Sequence, residues 1–117
     1  MKKLNLTDSQ KYRLLFRELM TSCNYISELN NRLLIKQAFI EVLRYFGDAK
    51  NNQGEFQLAH SVSVARIIAD DLGLDTTSII ASLLQQIPVS NPSEEEVIKK
   101  KFGKDTLLIV VKLQQIS

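Results

Sequence analysis

Few side chains in this sequence could do chemistry at neutral pH. His60 is the only histidine, and one imidazole cannot hold a metal, which needs three or four ligands. Its plain reading is a histidine near the start of a helix, bonded to backbone. Cys23 is the only cysteine. It falls on an apolar helical stripe with no second histidine to pair with, which makes it a core residue rather than a nucleophile. Glu94, Glu95 and Glu96 form a run, but nothing nearby would raise a carboxylate pKa. They read as a solvated helix start, not an acid/base pair. Gly47 and Gly54 mark turns, and no phosphate-cradling glycine pattern occurs. From residue types and spacing alone, the chain is not a convincing enzyme.

The elements that would position these residues are helices. Thr7-Asp8-Ser9-Gln10 has the form of a capping box and opens a helix with Tyr12, Leu15, Phe16, Leu19, Met20 and Cys23 on one stripe. A second helix spans roughly residues 29–45, with Ile35, Ala38, Phe39, Val42, Leu43 and Phe46 in the same rhythm. The polar stretch 47–54 is bracketed by glycines and reads as a loop, its residues 48–53 the most mobile internal segment. A third helix runs from about 58 to 72 and stops at Gly73. Its apolar residues cover more than one face, so it is expected to be well buried. Residues 75–78 cap a fourth helix that ends before Pro88. Ser93 to Glu96 form a second capping box, opening a helix that stops at Gly103. A last, nearly continuous apolar segment from Asp105 has no terminating signal, the expectation for a chain that continues.

Composition agrees with helices. In 117 residues, 44% are hydrophobic, enough for a core and against disorder, and Gly and Pro number only four and two. The length predicts one domain over residues 1–117. Fifteen basic and thirteen acidic residues leave a net charge of +2, too little to advertise nucleic acid. The single cysteine excludes a disulfide framework. No apolar run reaches the roughly 20 residues of a membrane span, and no signal region follows Met1. These features predict an all-α bundle of about five to seven helices, centred on the third and fourth, in a reducing, cytoplasmic setting.

The order of the pieces resembles a known family. Gly54-Glu55-Phe56-Gln57-Leu58-Ala59-His60, Val62 to Ala65, Leu72-Gly73-Leu74-Asp75, Ile79-Ile80-Ala81-Ser82-Leu83-Leu84 and Phe102-Gly103 are similar, in register and without gaps, to the N-terminal HD domain of RelA/SpoT-type (p)ppGpp synthetase/hydrolases. The likeness runs from about Ala38 to the end and implies a compact HD-like bundle. It also implies a Mn²⁺ site in active relatives, whose first histidine maps to His60. The adjacent His-Asp pair maps to Gln85 and Gln86, and a fourth ligand would lie after Ser117. An amide oxygen brings no charge and binds a hard dication far more weakly than carboxylate or imidazole. The acidic pair that serves the attacking water maps to Val89 and Ser90, and the nucleotide-contacting Arg-Lys to Asn51 and Asn52. Of these positions His60 alone is kept.

The resemblance therefore implies a degenerate hydrolase domain with no bound metal and no catalytic residue. Its role would be structural or regulatory on a downstream synthetase domain, which transfers pyrophosphate from ATP to GTP or GDP in the stringent response. No membrane or direct nucleic-acid partner is expected. Weak guanine-nucleotide binding and the oligomeric state stay open. Two alternatives remain: an active metal-dependent (p)ppGpp 3′-pyrophosphohydrolase with atypical ligands, and a free-standing helical interaction module.

Overall fold

Local signals start and stop most of the helices. The computed structural model describes residues 7–88 and 91–116. Thr7 caps α1 (Asp8–Ser22). Its Oγ1 accepts from the Gln10 amide, and the Gln10 side chain accepts from the Thr7 amide at 2.9 Å, a complete capping box. Helix α2 spans Leu29–Phe46. Helix α3 (Gln57–Ile67) widens into a π-helical turn, Ile68–Leu72, which Gly73 closes in the left-handed region at φ 56°. Asp75 caps α4 (Thr76–Leu84), accepting from the Ser78 amide. Those bonds hold the Asp75 carboxyl below its ordinary value. Helices α5 (Pro92–Phe102) and α6 (Lys104–Ile116) meet at Gly103.

One start differs from the expected position. Asn91, not Ser93, caps α5, its side chain accepting from both the Ser93 amide and the Ser93 hydroxyl. Pro92 explains the shift: its fixed φ suits the first helical position, and it has no N–H to leave unpaired there.

Six consecutive residues of α4, Ile79 to Leu84, are buried. Only a helix covered on all sides can be built this way. Helices α2, α3 and α6 cover it, while α1 packs mainly on α3 and α5 on α6. The expected all-α bundle centred on the third and fourth helices is therefore observed. The third is less buried than expected, however. Leu58, Ser61, Val62, Ala65 and Ala69 form its inward stripe, while Ile67 and Leu72 face solvent. The C-terminal apolar run is largely packed too, with Leu107 and Val110 buried and Leu108 exposed. No helix among the described residues is long and apolar enough to cross a membrane.

Polar side chains stitch the helices together. Arg66 of α3 reaches Glu18 and Ser22 of α1, and Arg32 of α2 donates to the Cys23 and Ile26 carbonyls beyond the end of α1. Glu41 of α2 is 2% exposed. It accepts two hydrogen bonds from Arg44 and one from Lys101, and Arg44 also pairs with Glu94 of α5 at 2.9 Å. Burial pushes the Glu41 carboxyl up, but hydrogen bonds from Arg44 and Lys101 outweigh that and hold it below its ordinary value.

Candidate functional site

The first turn of α3 and the turn that follows α4 meet at a hydrogen bond between carboxamides. The Gln57 side chain donates to Gln86 Oε1 at 3.1 Å. A second carboxamide closes the same end of α4: Gln114 Nε2 of α6 donates to the carbonyls of Gln85 and Ile87 at 2.8 and 2.7 Å. The helix leaves these carbonyls without intrahelical partners, and Gln114 satisfies them as a side-chain cap does. Gln85 and Gln86 are half-buried at this junction.

His60 lies three residues after Gln57, on the same side of α3. Its backbone amide makes the ordinary helical bond to the Phe56 carbonyl, and the side-chain bond to backbone expected from the sequence is not found among the described residues. The side chain is exposed, with no hydrogen-bond partner among the described residues. The structure thus brings Gln86 against Gln57, one turn from His60, and holds Gln85 by its backbone. Val89 and Ser90 lie outside the described residues.

The segment that carries Asn51 and Asn52 is a closed turn. Asn51 Oδ1 accepts from the amides of Gln53 and Glu55, and the Asn51 amide donates to the Glu55 carbonyl. Lys50 and Phe56 form an isolated antiparallel bridge, and the Gln57 amide donates to the Ala49 carbonyl. Asn51 folds this polar, glycine-bracketed loop on itself, because its side chain bonds to the backbone a few residues on. Asn52 is exposed. The Phe56 ring at the foot of the turn lies 5.9 Å from Tyr12, with the Lys11 and Lys50 ammonium groups 5.4 and 5.7 Å from its centre.

The donor chemistry decides what the junction could hold. It offers one imidazole and carboxamides, and the one oxygen of Gln86 already accepts a hydrogen bond. Among the described residues, no three of His, Cys, Asp and Glu group to hold a metal ion. A hard dication needs anionic oxygen ligands to offset its dehydration, and this set does not fit one. Of the two remaining candidates, Cys23 is the core residue expected, whereas the expected solvated run Glu94 to Glu96 is solvated only in part. Cys23 is fully buried, and burial pushes its thiol above the ordinary value, away from thiolate chemistry. Glu94 pairs with Arg44, and Glu95 and Glu96 are exposed.

Sequence reasoning did not single out Gln57, Ser61 and Gln114. Gln114 and Ser61 had a readable signal, since each interrupts an apolar stripe: Leu107, Val110, Gln114 on α6, and Leu58, Ser61, Val62, Ala65 on α3. The Ser61 hydroxyl is fully buried and finds no partner among the described residues.

No curated protein and no solved structure matches the chain. The HD domain family, by contrast, matches residues 38–117, the span that holds α3, the closed turn and the carboxamide junction. With more than half of its length covered, the chain belongs to the HD domain family.

Proposed function

We propose that this is a hydrolase-inactive HD domain of the RelA/SpoT type, acting on a synthetase domain of the same polypeptide as a structural and regulatory element. One observation carries the reading. The positions that would supply the adjacent His-Asp metal pair are carboxamides, and Gln86 accepts a hydrogen bond from Gln57, binding α4 to α3. Without a metal no bound water is acidified at neutral pH. With Val89 and Ser90 in place of the acidic pair, no carboxylate at those positions accepts its proton. Asn51 and Asn52 likewise remove two cations from a site meant for an anion. On this reading the parent protein would be a GTP pyrophosphokinase of guanosine tetraphosphate metabolism.

The test uses the full-length protein. It is dialysed against Mn²⁺ for elemental analysis and assayed for pyrophosphate release from the 3′ position of ppGpp. We expect no stoichiometric metal and no turnover. Reinstating the pair as Gln85→His with Gln86→Asp should recover weak metal binding at most. One Mn²⁺ per chain held by this domain, together with ppGpp turnover, would overturn the reading.

A further inference from the structure

Helices α1 and α2 touch little, because α1 is held mainly against α3. They leave an open groove of two contiguous basins, of about 630 and 280 Å³, which share Arg13 and Phe16. Along α1 the groove extends from Ser9 to beyond Thr21, roughly 18 Å of helix. Its floor is apolar: Phe16 and Phe39, with ring centres 5.2 Å apart, flanked by Met20 and Leu43. Its walls are cationic. Arg13 and Arg17 stand one turn apart on α1, and Arg32 and Lys36 one turn apart on α2. No carboxylate lines either basin. Arg13, Arg17 and Lys36 form no ion pair among the described residues, whereas Arg66 and Arg44 elsewhere are paired. The α2 wall continues outward into exposed Leu33 and Ile40.

We propose that this groove docks an acidic amphipathic helix of a partner protein. Two rows of cations at a spacing of four residues, on either side of an apolar floor, complement a helix whose apolar stripe is bordered by carboxylates at the same spacing. A single small anion would meet one pair and leave the floor uncovered. The groove is also too open to enclose a small molecule as ligand pockets do. The apolar floor supplies contact, and the rim supplies orientation, partner choice and association rate. Arg32 is tied to the Cys23 and Ile26 carbonyls, but Arg13, Arg17 and Lys36 have no such partner among the described residues, and a carboxylate-bordered helix supplies one to each wall.

The probe is a synthetic amphipathic peptide of about four helical turns, with leucines at i, i+3, i+4 and i+7 and glutamates on both borders. Its control carries lysines in place of the glutamates. Titrated into the isotopically labelled protein, the acidic peptide should move the amide signals of Arg13, Phe16, Arg17, Met20 and Lys36, and bind more weakly as salt rises. The double variant Arg13→Glu, Arg17→Glu should raise Kd about tenfold or more with an unchanged melting temperature, both side chains being exposed. Lys36→Glu tests the opposite wall independently. Equal binding by the lysine peptide, or shifts confined to another face, would overturn the proposal. So would pyrophosphate moving the same signals as strongly, which would make this a small-anion site. Self-association that covers the groove would assign it to a second copy of the chain instead.

Discussion

Two of the polar clusters that join helices in this domain do so differently. Between α3 and the end of α4 the contact is neutral, one carboxamide donating to another. Between α2 and α5 it is ionic, with Glu41, Arg44, Glu94 and Lys101 in one network around a buried carboxylate. A buried charge is tolerated only when its partners replace water, and the three donors on Glu41 do this. A neutral pair needs no such compensation and can sit half-buried at small cost. The charge in the interior thus serves packing, whereas the junction proposed above as the former metal site is neutral. The network shows that this fold can bury a carboxylate; the junction simply has none.

Variants at the two clusters should separate on this basis, with the apolar core setting the scale. Leu83→Ala, at a fully buried residue of α4, should lower stability by about 3–5 kcal/mol. Ile68→Ala in the half-buried π turn should cost less, about 1–2 kcal/mol, by urea denaturation. Arg44→Met should fall between the two, at about 2–3 kcal/mol, because it strips Glu41 and Glu94 of a shared partner while Lys101 still neutralises Glu41. If Arg44→Met matched the parent, the ionic cluster would be a surface ornament and the contrast with the junction would vanish.

Acid offers a gentler probe. The folded Glu41 carboxyl is held below its unfolded value, so its contribution is complete above about pH 4.5 and lost as pH falls through the folded pKa. Asp75, depressed by its Ser78 cap, acts in the same direction. Urea midpoints should therefore decline between pH 5 and 3, and Glu41→Gln should flatten that decline. The carboxamide junction does not titrate, so Gln86→Ala should leave the shape of the profile unchanged.

The fold was legible in the sequence because its signals are local. The Thr7 capping box, Gly73, Asp75 and Gly103 act within a turn of where they stand. The run Ile79 to Leu84 of α4, apolar but for Ser82, reports its own burial. What stayed illegible depends on partners far away in the chain. Nothing near Glu41 says that Lys101 will neutralise it, 60 residues on. Gln57 and Gln86 are 29 apart and carry no pattern that joins them. The candidate site was legible only as a set of aligned positions. That alignment named the junction but not the bond across it, and it was silent on Asn51 closing its own turn.

The smallest effects test the neutral cluster itself. Gln86→Ala removes one half-buried neutral hydrogen bond and should lower stability by about 1 kcal/mol. Combined with Gln57→Ala, the double variant should cost little more than either single one, the signature of a shared bond. Ser61→Ala should go the other way. The Ser61 hydroxyl is fully buried on the inward stripe of α3 with no hydrogen-bond partner among the described residues. An orphaned buried hydroxyl carries a desolvation penalty of about 1–3 kcal/mol. Alanine removes that penalty, is the better helix former by a few tenths of a kcal/mol, and leaves a void of only one oxygen atom. The void and lost dispersion offset part of the gain, so a net stabilisation of about 0.5–1 kcal/mol is expected, read as a melting point a few degrees higher. A clear destabilisation would mean that the hydroxyl is hydrogen-bonded in solution. The interior beside the first turn of α3 would then hold a polar contact, and the contrast between a neutral junction and a charged network would need redrawing.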